Sequence, residues 1–235
     1  MTAQGINRKA GTPDGARTPE PESNPAAKLL NVAWLAILLG LAMEVLLLIA
    51  SSFGDFLGFG TLVADLVKSV SWSLVVCAGL AVGTTVSKIR VPLMGVLGFF
   101  AAPLAFEVSR VLHKGTLGAL SVEGTIATGP SPLLVALIKG IEYGCLGLAI
   151  AWIGGRAWGG IVAHGAVGLI VGTIFGGAIL GLQYGSAPAS LSAAALLPGA
   201  VNEIVFPVGC SLVLFSSKVV GERMAQGDRE RWEYG

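Results

Sequence analysis

The sequence predicts an all-α polytopic membrane protein, a bundle of six transmembrane helices. Three observations carry this prediction. Of 235 residues, 54% are hydrophobic and only 12% charged, about half of the roughly 25% charge of a soluble domain. The 34 glycines follow no Gly-X-Y period, which excludes a collagen-like chain. Charge gathers at the ends and connections, leaving six apolar stretches of about 20 residues or more, the length that crosses roughly 30 Å of hydrocarbon. No ten-residue alternating segments of an outer-membrane barrel occur, so helices are the spanning form.

Residues 1–27 hold four prolines, three glycines and mixed charge. They read as a disordered cytoplasmic tail, with no apolar h-region of a signal peptide. The six-helix transmembrane domain occupies 28–218. Residues 219–235, with Glu222, Arg223, Asp228, Arg229, Glu230 and Arg231, read as a charged cytoplasmic tail without polybasic lipid-binding character.

The first span, 29–51, carries Glu44 inside Leu-Ala-Met-Glu-Val-Leu, a setting that requires protein or water around the carboxylate and not lipid. The second, 62–86, carries Asp65 and Lys68, and the third, 92–112, carries Glu107 and Arg110. Each of these pairs is three residues apart, one helical turn, and reads as a structural ion pair near a helix end. The connection 113–131 is long for a bundle and suits a short interfacial or re-entrant element, or a flexible loop. The fourth span, 132–154, repeats the one-turn pairing with Lys139 and Glu142. The fifth, 158–181, holds His164 and a run of Gly-xxx-Gly pairs (Gly168/Gly172, Gly172/Gly176, Gly177/Gly181) that let helix backbones approach, within the monomer or at a dimer face. The sixth, 189–217, is long enough to be tilted or broken, with Pro198 and Pro207 as the break points.

Orientation follows from Lys and Arg. Eleven of the fifteen (Arg8, Lys9, Arg17, Lys28, Lys88, Arg90, Arg156, Lys218, Arg223, Arg229 and Arg231) fall on the side of the two tails, against Arg110 and Lys114 on the other. The excess predicts both termini in the cytoplasm of a cell with an inner or plasma membrane. Two internal repeats compete with each other and with chance likeness in a chain this rich in Ala, Gly, Leu and Val. One pairs hairpins, with Leu41–Val45 echoing Leu104–Val108 and Cys77–Val82 echoing Cys145–Ile150. The other is three helices plus three, with Gly79–Thr84 echoing Gly168–Thr173.

Glu203 and Asn202 lie between Pro198 and Pro207 in the sixth span. A carboxylate beside backbone freed by proline is the usual build of an ion or substrate site in a transporter. Glu203, Glu142, Glu44 and Asn202 are therefore the candidate ion- or substrate-binding residues. His164, which titrates near neutrality, is the candidate proton relay. Across all spans five acids face three bases, an excess that suits a cation. Cys77, Cys145 and Cys210 each sit in an apolar run without metal-binding spacing and read as packing residues. No catalytic motif, nucleotide loop or cofactor fingerprint appears.

The expected function is a small transporter or channel-like permease for a cation or proton-coupled solute, not an enzyme, with no cofactor or metal. The alternative is a non-catalytic subunit or assembly factor of a larger membrane complex. Expected partners are membrane lipid, the small cation or solute, and a homo-oligomer or larger complex. A net charge of +1 gives no field for nucleic acid.

Overall fold

The computed structural model describes residues 25–52, 59–84, 89–122, 130–186 and 193–233. The expected tail over residues 1–24, and the masked parts of the connections including Lys88, lie outside the described residues. Six α-helices follow one another: α1 Pro25–Ser51, α2 Phe59–Gly83, α3 Arg90–Ala119, α4 Pro132–Ile153, α5 Ile161–Ser186 and α6 Ala193–Glu233. No strand occurs among the described residues. All six helices are long and apolar enough to cross a membrane. Their outer faces display large apolar side chains such as Leu38, Phe100, Leu104, Val162 and Ile174. An apolar surface of this extent is stable in lipid and a liability in water.

Each helix packs on its sequence neighbours, and α6 closes the ring against α1. The even-numbered helices also meet one another inside that ring. α6 touches both α2 and α4, and Trp72 of α2 lies edge-on to Tyr143 of α4 at 5.8 Å and to Phe206 of α6 at 6.2 Å. The main contacts of the odd-numbered helices are with even-numbered ones. The contacts therefore have the form of three successive hairpins, each placing its second helix inside. The core at their meeting includes Val76, Cys77, Leu80, Leu146, Phe206 and Cys210.

Glycine sets the spacing of the hairpins. Within lipid there is no hydrophobic drive between helices, so close backbone contact has to supply the attraction. Gly168, Gly172 and Gly176 of α5 lie against the α6 backbone at Pro207–Val208, Ile204 and Glu203. The Gly-xxx-Gly run is thus spent on packing within the chain. Gly177 and Gly181, one position round the helix, face open space.

Two interior prolines use this spacing in the same way. Proline lacks the N–H that would bond the carbonyl four residues earlier, so Pro103 frees the Phe99 carbonyl and Pro207 frees that of Glu203. A Cβ on Gly140 would lie 2.9 Å from the Phe99 oxygen, and one on Gly176 would lie 2.8 Å from the Glu203 oxygen. At both places a glycine brings its Cα–H to the orphaned carbonyl, a weak hydrogen bond where no water is present.

Two expectations about length are corrected. Of the two forms expected for the sixth span, tilted or broken, the break is absent at both Pro198 and Pro207. α6 runs as one helix of 41 residues, into the stretch expected to be a charged tail. Pro198 removes only a bond in the opening turns, and the carbonyl freed by Pro207 is met by Gly176. α3 continues to Ala119, so the first part of the expected outer loop is helical. Its extension rests on α2, where His113 pairs with Asp65 and Val122 closes over Gly60. The helix then ends in a Schellman-type turn. Ser121, at φ 53°, takes the left-handed position usually given to glycine, and the Val122 N–H bonds the Leu117 carbonyl.

Candidate functional site

Three ionisable side chains meet where α4 and α6 face each other. α4 presents Lys139 and Glu142 one turn apart, and the ammonium donates to Glu142 Oε2 at 2.8 Å. The same Lys139 Nζ forms an ion pair with Glu203 Oε2 of α6. All three are buried, with relative exposures of 4%, 0% and 8% for Lys139, Glu142 and Glu203. Asn202 donates its side-chain amide to Glu203 Oε1 at 3.4 Å. One ammonium thus bridges two carboxylates from different helices.

Aromatic rings wall the ammonium. Lys139 Nζ lies 5.8 Å from the Trp72 ring centroid and 5.7 Å from that of Tyr143, within the range at which a ring face attracts a cation. Trp72 comes from α2, so all three inner helices contribute to the centre. Glu142 Oε1 and the Tyr143 hydroxyl are buried and have no hydrogen-bond partner among the described residues. Such an atom inside lipid is costly unless something occupies its lone pair or proton.

The other residues singled out by the sequence lie elsewhere. Glu44 does not join the centre. It accepts a hydrogen bond from Ser69 of α2 at 3.0 Å, and the charges acting on it are Asp65 and Lys68. The expected Asp65–Lys68 pair gives way to a contact between helices, with Asp65 Oδ1 3.0 Å from His113 Nε2 of α3 and Lys68 exposed. Glu107 and Arg110 pair on the surface at 2.6 Å. His164 is apart from the acids. Its Nδ1 lies 3.0 Å from the Gly160 carbonyl and its ring packs on Phe215 at 5.0 Å, at the end of the bundle that carries Arg90 and Lys218. That placement gives the proposed relay no acid to relay to among its contacts.

Three features escaped the sequence reading: the Lys139–Glu203 bridge, the Trp72 and Tyr143 walls, and the His113 partner of Asp65. A signal for the α2 wall was present in the polar stripe Ser69-xxx-Ser73, which brackets Trp72 and marks a face turned from lipid.

The fold and its interior thus define a six-span helical bundle with a buried Glu–Lys–Glu centre. Compared with known proteins, the chain matches no family model, no curated protein and no solved structure.

Proposed function

We propose that the protein is a small multi-pass permease for a cation or a proton-coupled solute, working through the Glu142–Lys139–Glu203 centre. Both termini would lie in the cytoplasm, in an inner or plasma membrane. The single observation that supports the reading is the charge count at the centre. One acid per base balances the charge of a buried ion pair, and here two buried acids share one ammonium. The second carboxylate leaves one negative charge uncompensated where an isolated charge costs at least ~3 kcal/mol. That excess is a seat for one positive charge that arrives and leaves. Because α2, α4 and α6 belong to different hairpins, movement of one hairpin against another would make and break the bridge.

The test is flux into liposomes holding the purified protein. Glu203→Gln removes the excess charge while keeping shape and volume, and the expected outcome is transport at background level with an unchanged melting profile. Full transport by a folded Glu203→Gln protein refutes the reading.

The alternative, a subunit of a larger complex, is favoured by one feature. An open apolar groove of about 420 Å³ runs between α1 and α3 over α2, lined by Leu41, Leu66, Val70, Leu74 and Leu112. A helix from another protein fits such a groove, as does a lipid chain. A stoichiometric foreign partner in the purified native particle would favour this reading.

A further inference from the structure

We propose that the ion taken up by the centre is a proton, one per centre, carried on Glu142, and that metal cations are excluded; this rests on the reading of the centre as the transport site. Geometry carries the argument. A metal ion bound by two carboxylates would sit between them and draw further oxygens into its shell, about six to eight for a hard cation such as calcium. Here the space between Glu142 and Glu203 is filled by the Lys139 ammonium. The walls are Trp72, Tyr143 and Phe206, which offer rings and a single hydroxyl. No cluster of three His, Cys, Asp or Glu suited to a metal occurs among the described residues.

A proton needs no such shell. It forms one O–H bond with a carboxylate, and the carboxylate becomes a neutral carboxylic acid with nothing else displaced. The centre then carries one ammonium, one carboxylate and one acid, with no net charge. Glu142 is the carrier because each Glu203 oxygen already faces a cation or a donor, Oε2 the Lys139 ammonium in an ion pair without hydrogen-bond alignment and Oε1 the Asn202 amide. Glu142 has Oε2 engaged by Lys139, and its Oε1 is buried without a partner.

The titratable groups around Glu142 support the count. α4 contributes Lys139 and Tyr143, α6 contributes Glu203 and Cys210, and α2 contributes Cys77, whose Sγ lies 3.6 Å from that of Cys210. The α3 face against α4 is made of Met94, Gly95, Gly98, Phe99 and Pro103, and α5 carries its titratable residues, His164 and Tyr184, toward its ends. Lys139 is the single base in this set.

The experiment reads protonated carboxyls directly, by the infrared C=O stretching band that shifts in heavy water, on intact protein in detergent at neutral pH. Any contribution from Glu44 cancels in differences from wild type. The charge count predicts a specific pattern. Glu142→Gln loses one carboxyl band, and Glu203→Gln loses an equal band although Glu142 is still present, because Lys139 and Glu142 then balance. Lys139→Met gains one. Sodium replacing choline in the buffer leaves the wild-type band unchanged.

Spectra of Glu142→Gln and Glu203→Gln that superpose on wild type overturn the proposal. So does a Glu203→Gln protein that keeps the Glu142 band, or a wild-type band that sodium removes. If Lys139→Met fails to fold, the two glutamine variants still decide. A correct band pattern without any flux in liposomes would refute the permease reading alone. Flux without the band pattern would refute the proton alone.

Discussion

Lys139 is the common partner of Glu142 and Glu203 inside an apolar bundle, so its removal acts on the whole centre. Breaking a buried ion pair by deleting one partner costs about 3–5 kcal/mol, whereas replacing the entire set by neutral side chains of similar volume is often tolerated. Lys139→Met is accordingly expected to lower the thermal midpoint in detergent sharply. Adding Glu142→Gln and Glu203→Gln to that variant is expected to recover much of the loss. Equal instability of the single and triple variants would mean that the ammonium stem, not its charge, is what matters. The pairing of Lys139 with Glu142 was legible from one-turn spacing, because that rule concerns neighbours on one helix. The same rule misled at Asp65, where His113 of α3 displaced Lys68, and it was silent on Glu203, whose base comes from another helix. Contacts between helices depend on which faces meet, and a single sequence does not state that.

At the scale of the helix, composition located all six spans because the solvent imposes length and apolarity. Where helices end was less legible. Proline left the sixth span to be either tilted or broken, and a helix tolerates it unbroken when a neighbour meets the orphaned carbonyl. Gly176 does this for Glu203 and Gly140 for Phe99. A methyl group at Gly176 would force α5 from α6 and withdraw the Cα–H. Gly176→Ala is therefore expected to cost about 1–3 kcal/mol, the usual penalty of overpacking. Gly177→Ala meets nothing within 4 Å and serves as the control, expected to be neutral or slightly stabilising through helix propensity. Thermal unfolding of the two proteins side by side checks this, and equal behaviour would mean that the seam is not as close as described.

For the molecule as a whole, the six helices among the described residues would, as spans, put both ends on one side, and the basic residues predict that side to be the cytoplasm. A fluorescent reporter fused after residue 235 is expected to light up, and a phosphatase reporter that works only outside the cytoplasm is expected to stay inactive. The reverse result would invert the bundle. Of the two internal repeats, the sequence offered no means to choose. The helices are arranged as three hairpins, with α6 meeting both α2 and α4. The Glu–Lys–Glu centre also has an electrical side. With its proton aboard it is neutral, and without it the centre carries one negative charge, on which a membrane potential does work of about 2.3 kcal/mol per 100 mV. In a cell whose interior is negative, voltage therefore acts on the bare centre alone and pushes it toward the outer face. The resting bundle would wait there with its acid open to the side from which a proton enters.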